Sequence, residues 1–162
     1  MTEPTSTPAD TTPATTSPTA GATEEAIGLT RVAARAAAAK RGQRIIAFDV
    51  SQHLAITDIF LVISASNERQ VGAIVDGVEE ALLKDGRKPT RREGDRENRW
   101  VLLDYLDIVV HVQHEEEREM YSLERLWRDC PRVELDLDDI DVEAEEERDD
   151  ETARAWGWGS DQ

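Results

Sequence analysis

The chain has 162 residues, room for one ordinary domain, and a formal net charge of −16 at pH 7. That charge sits mostly at the ends: residues 1–26 hold four acids and no Lys or Arg, residues 136–162 hold twelve acids and two arginines, and the stretch between carries 19 acids against 17 bases. A near-neutral middle excludes a protein that grips DNA or other nucleic acid mainly through phosphates, which needs surplus cations, and the single cysteine, Cys130, excludes an internal disulfide or a Cys-rich zinc site.

In chain order, residues 1–23 are dominated by Thr, Pro, Ala and Ser, have nothing to bury, and are expected to form a disordered tail. Residues 24–41 are alanine-rich and predict a helix with Ile27, Leu29, Val32 and Ala36 on a narrow apolar face, stopped by Gly42. The runs Ile45–Phe48 and Ile59–Ile63 are short and continuously apolar, as strands covered on both faces are. Asn67 with Gln70 three residues on reads as a helix cap. Val71, Ile74, Val75, Val78 and Leu82 then mark the core-facing stripe of a second helix, ended by Gly86.

A polar stretch with Arg87, Lys88, Arg91, Arg92, Arg96 and Arg99 follows, and a strand is expected around Lys88–Glu93. Trp100–Leu103 and Ile108–Val112 predict two further strands, joined by a hairpin linker at Asp104–Asp107. Glu115, Glu116 and Glu117 fit the first turn of a third helix, where negative charge meets the helix dipole favourably. Met120, Leu123, Leu126, Trp127 and Cys130 form its apolar stripe as far as Pro131, which makes Cys130 a buried structural thiol. A short strand at Val133–Leu135 completes an order α-β-β-α-β-β-β-α with a closing strand. The expectation is a single α/β domain over residues 24–136, a mixed β-sheet flanked by helices.

Residues 137–162 are expected to form an acidic tail that like-charge repulsion would keep extended. Its aspartates lack the glycine and terminal Glu of a calcium loop, and Trp156 and Trp158 are either a short docking motif or a passive end. No run approaches the ~18 apolar residues of a membrane span. The N-terminus has neither the pattern of a secretory signal nor the arginines of a transit peptide. A cytoplasmic protein with no membrane partner is expected.

Several short motifs occur together in one order and spacing. They are Asp58-x-Phe60-x-Val62-Ile63, Arg69-Gln70-Val71, Glu93-Gly94, Trp100-Val101-Leu102-Leu103-Asp104-Tyr105, Val109-Val110-His111-Val112 and Glu117-Arg118-x-x-Tyr121-x-Leu123-Glu124-x-Leu126-Trp127. Over about 110 residues the chain resembles the RsfS/Iojap family of ribosomal silencing factors. Ile59, Leu106 and Met120 depart from the Tyr, Gly and aromatic residue usual at those places in the family. The resemblance implies a nucleotidyltransferase-like fold without catalytic residues. It implies binding to the large ribosomal subunit through ribosomal protein fourteen, at the surface facing the small subunit. Occupying that surface would block subunit association and repress translation on nutrient limitation. The resemblance places Trp100, Leu102, Asp104 and Tyr105 in the contact surface, and it allows a homodimer.

Nucleotidyl transfer needs a Gly-Ser loop for phosphates and close carboxylates for a metal pair. No Gly-Ser precedes a helix in residues 27–135 and no Asp-x-Asp pair occurs there, which leaves Asp49 and Asp58 as the carboxylates of an enzyme reading. No cofactor or metal is expected. His111, His114 and Glu115 could suggest a metal, but strand alternation sends 111 and 114 to opposite faces.

Alternation also puts Trp100, Leu102 and Asp104 on one face and Val101, Leu103 and Tyr105 on the other. The first set is either an exposed aromatic-aliphatic-acidic patch suited to a basic protein or packed beneath a helix. The Arg87–Arg99 run is open to a minor contact with ribosomal RNA. A third reading is a dimerising adaptor that uses its acidic tail.

Overall fold

The computed structural model describes residues 21–94 and 96–137. The two expected tails, Trp156 and Trp158 therefore lie wholly or largely outside the described residues. Within them the order is α1 (Glu24–Ala39), β1 (Gln43–Asp49), β2 (Ile59–Ala65), α2 (Glu68–Lys84), β3 (Arg91–Glu93), β4 (Trp100–Asp104), β5 (Ile108–His114), α3 (Glu115–Tyr121), α4 (Leu123–Leu126) and β6 (Arg132–Val133). The strands make one mixed six-stranded sheet in the order β3-β4-β5-β2-β1-β6. β2 and β5 pair in parallel, Ile59 with Ile108 through Ala65 with His114, and the other pairs are antiparallel. The strands with the most continuous apolar runs occupy the centre, where both faces are covered.

Helices α1 and α2 lie together on one face. Their buried side chains, Ala26, Leu29, Ala33, Ala34 and Ala37 from α1 and Val71, Ile74, Val75, Val78 and Leu82 from α2, meet Leu61, Ile63, Val101, Leu103, Val110 and Val112 of the sheet. Burying each Val, Leu or Ile of α2 is worth roughly 1.5–3 kcal/mol relative to exposure. The stripe of α1 differs from the expected one. Ile27, Val32 and Ala36 are only partly buried at its margin, because small alanines bring the helix axis closer to its neighbours.

Both helices are capped at the start, α1 by Thr23, whose Oγ1 accepts from Ala26 N–H, and α2, as its sequence suggests, by Asn67, whose Oδ1 accepts from Gln70 N–H. At the end of α1 the left-handed residue is Arg41 (φ 64), not Gly42. Gly42 is needed for space: its N–H donates to Ala37 O at 2.8 Å, and a Cβ there would lie 2.8 Å from Ile63 Cγ2. At the end of α2 it is Gly86 that takes the left-handed position, with φ 76.

The single third helix expected through Cys130 is broken in two. Ser122 is left-handed (φ 41), α3 and α4 are short, Met120 and Leu126 are exposed, and Cys130 is buried in the turn beyond α4. Arg118 supplies the reason. Its guanidinium is buried and donates to Glu124 Oε1 at 2.6 Å, Ser64 Oγ at 3.0 Å and Arg44 O at 2.7 Å. Residues six apart on a continuous helix point about 240° apart. The break at Ser122 brings Glu124 back to a charge that could not be buried unpaired.

Two loop positions are testable. Gly94 has φ 82, and a Cβ on it would collide with the Trp100 carbonyl oxygen. Gly94→Ala is expected to lower stability by more than ~1 kcal/mol in urea unfolding. Leu106 has φ 72 and is 56% exposed. Leu106→Gly relieves the left-handed strain at little cost in contacts, so the unfolding free energy in urea is expected to rise by about 0.5–1 kcal/mol.

Candidate docking surface

The face of the sheet opposite α1 and α2 is only half covered. Near β1 and β2 it is closed by Leu123 and Cys130, which pack with Phe48, Val50 and Val62. Phe60, Trp100 and Trp127 sit at the margin of that cluster, partly buried. Toward β4 the described helices reach it through Tyr121 at the end of α3.

Alternation along β4 works as its sequence demands. Val101 and Leu103 are buried beneath the helices, while Trp100, Leu102 and Asp104 are half-exposed on the other face. Trp100 is thus neither sealed under a helix nor free. Its ring centroid lies 4.9 Å from that of Tyr121 and 6.0 Å from that of His111. Phe60 continues the row, with edge-on contacts to His111 at 5.0 Å and Trp127 at 5.3 Å. An aromatic belt crosses the face from α3 to the turn after α4.

Asp104 ends the strand and shapes the turn beyond it. Its Oδ1 accepts from Leu106 N–H at 2.9 Å, holding the left-handed residue where the family usually has Gly. Asp107 is drawn off the face by Arg87 at 2.9 Å, which also meets Glu25 at 3.0 Å.

Tyr105 lies apart from the other three site residues. It points to the helix side, is 2% exposed, and its hydroxyl is buried with no partner among the described residues. Burial pushes the phenol up to about 12. Being the next residue after Asp104 puts it on the opposite face, so it cannot join Trp100, Leu102 and Asp104 at the surface.

The other candidates are placed as follows. Asp49 Oδ2 accepts from Ala22 N–H at 2.8 Å and Asp58 Oδ2 from Thr23 N–H at 3.0 Å, so both carboxylates tie down the start of α1. His114 Nδ1 accepts from Glu116 N–H at 3.1 Å as the cap of α3, while His111 Nδ1 accepts from Trp100 Nε1 at 3.1 Å. The two histidines do not converge, and among the described residues no cluster of three His, Cys, Asp or Glu could hold a metal.

The arginine run is largely engaged with the protein's own acids. Arg91 meets Glu93, Arg92 meets Glu79, and Arg99 bridges Glu68, Glu116 and Glu117. The Arg99 bonds lower the carboxyl pKa of Glu68 and Glu116. No described helix is long and apolar enough to cross a membrane.

The contact surface expected from the sequence leaves out His111, Phe60, Tyr121 and Trp127. The parity of β2, β4 and β5 could have found the first two. Tyr121 and Trp127 depend on the break at Ser122.

Two measurements follow from this burial. Tyr105→Phe is expected to leave stability unchanged or raise it by up to about 1 kcal/mol, since a buried hydroxyl without a partner is removed. His111 is 6% exposed, and burial lowers its pKa to about 4. The folded value lies below the ordinary 6.5, so the unfolded chain takes up the proton first. The stability due to neutral His111 is full above about pH 6.5. It falls toward pH 4 by on the order of 3 kcal/mol. Urea midpoints across that window should show the slope, and His111→Leu should remove this part of it.

The family model described as "Ribosomal silencing factor during starvation" matches residues 23–158. The ribosomal silencing factor RsfS of Halalkalibacterium halodurans is 38% identical over 108 residues, which cover 67% of this chain and 92% of that protein. The protein Iojap, chloroplastic, of Zea mays is 31% identical over 80 residues, 49% of this chain and 34% of that protein. A crystal structure from Bacillus halodurans has the same fold, with a TM-score of 0.59 and 36% identity over 67% of this chain and 98% of that one. With more than half of its residues inside the family model and the same α/β sheet as a solved relative, the chain belongs to the RsfS family of ribosomal silencing factors.

Proposed function

We propose that the chain silences ribosomes by docking on the large subunit through ribosomal protein fourteen, so that the small subunit cannot join and translation falls when nutrients are short. The observation that carries this reading is the half-open sheet face at Trp100, Leu102 and Asp104, on a chain belonging to a family of ribosomal silencing factors. The activity is occupancy, with no bond made or broken. A stable protein interface buries ~1,200–2,000 Å² in total, within reach of one sheet face of a small domain. Asp104 offers a carboxylate beside an aromatic-aliphatic patch, and a ribosomal protein rich in Lys and Arg supplies the complementary charge. Arg96 and its neighbours lie at the rim, where a minor contact with ribosomal RNA fits.

Trp100→Ala and Asp104→Asn test the surface, the second keeping an acceptor for Leu106 N–H while removing the charge. In sucrose gradients with purified subunits, the wild-type chain is expected to travel with large subunits. The double variant should bind at least about 30-fold more weakly, with an unchanged circular dichroism spectrum. Tyr105→Phe should bind as wild type. Undiminished co-sedimentation of the double variant would rule out this face, and co-migration with small subunits alone would rule out the mechanism. Sedimentation of the protein by itself reads whether two copies pair through the same face.

A further inference from the structure

We infer that His111 is a positioning residue for the docking face: its neutral imidazole accepts the indole N–H of Trp100, turning the one polar atom of that side chain inward and presenting its hydrocarbon edge to the partner. This inference rests on the docking reading above and specifies the chemistry of the contact.

The bond runs from Trp100 Nε1 to His111 Nδ1 at 3.1 Å, across the β4–β5 pair. An acceptor at Nδ1 leaves the proton on Nε2. That second nitrogen is buried and has no partner among the described residues. For stability alone the arrangement is poor, because a buried N–H without a partner costs more than an apolar side chain of similar size would. Phe60 and Trp127 already make this an apolar neighbourhood, in which a Leu would pack. The one thing imidazole adds there is the Nδ1 acceptor. Burial supports the assignment by holding the ring neutral through the physiological range, so the acceptor is always available.

The consequence concerns what Trp100 offers outward. Indole has a single donor and no acceptor, and that donor is spent inside the protein. With Tyr121 against it at 4.9 Å and His111 behind, the ring is held from two sides. A preset aromatic loses little rotamer freedom on binding. The matching partner surface is an apolar hollow that takes a ring edge, with a cation placed for Asp104, and no hydrogen-bond acceptor is required for the indole.

The test combines subunit affinity, stability and nitrogen-15 NMR on the full chain. In wild-type protein the Trp100 indole N–H should show a through-hydrogen-bond coupling to His111 Nδ1 and slow exchange. Its absence would overturn the assignment whatever the variants do. His111→Leu should be at least as stable as wild type at pH 7 yet bind large subunits about tenfold more weakly. His111→Asn, which keeps an acceptor near the Nδ1 position, should recover most of that loss. In the Trp100→Phe background, which has no N–H to place, His111→Leu should cost nothing further.

An equal loss in both backgrounds would make His111 a packing residue and sink the inference. So would His111→Leu binding as tightly as wild type while Trp100→Ala does not. If no variant of this face changes binding, the docking reading fails, and the NMR coupling still reports separately on whether His111 holds the ring.

Discussion

A sheet has two faces, and the described residues supply two full-length helices, both on the same one. That imbalance governs the rest of the molecule. α1 and α2 close one side of the inner strands β1, β2, β5 and β4 with an apolar core, and what the described residues leave for the other side is a seven-residue helix, a four-residue helix and a turn. These short pieces pack over β2 and β5, and at the β4 end Tyr121 of α3 is set against Trp100. The β4 end is left with side chains that are neither core nor ordinary surface, and an aromatic belt half in and half out of solvent is the result. Large aromatics in that condition are the usual anchors of protein interfaces.

The cover that does exist depends on one buried cation. Arg118 reaches through the α3–α4 segment to Ser64 and to the Arg44 carbonyl while Glu124 folds back onto it. A guanidinium in that place is tolerable only with all of these partners. The geometry they impose breaks the helix at Ser122. The same break sets Tyr121 against Trp100 and leaves Met120 and Leu126 outside. Packing on the closed half thereby shapes the open half.

Polar side chains with a chemical look serve structural ends here. Asp49 and Asp58 hold consecutive amides at the start of α1, and His114 caps α3. Arg99 gathers three glutamates from two helices at the head of β4. Exposed ion pairs of this kind contribute little each, but they consume much of the positive charge that the Arg87–Arg99 run shows in sequence. A near-neutral domain with its cations engaged internally fits a protein partner better than a nucleic-acid one. His111 stands apart, because its environment makes it costly and its one bond is to the residue at the centre of the open face.

The sequence by itself determined the class of the fold, its element order and which side of β4 each residue takes. Those properties are periodic, and period two or 3.6 is written directly in the spacing of apolar residues. It also determined the family, through motifs that keep order and spacing from Asp58 to Trp127. Tertiary structure alone decided where the alternation stops mattering. Tyr105 carried the family's motif yet belongs to the core, because a motif read as one string runs over both faces of a strand. The break at Ser122 was invisible because its cause, the pairing of Arg118, involves residues 54 and 74 positions away. The meeting of Trp100 with His111 needed the register of β4 on β5, and register is fixed by packing between distant segments, which no local pattern records.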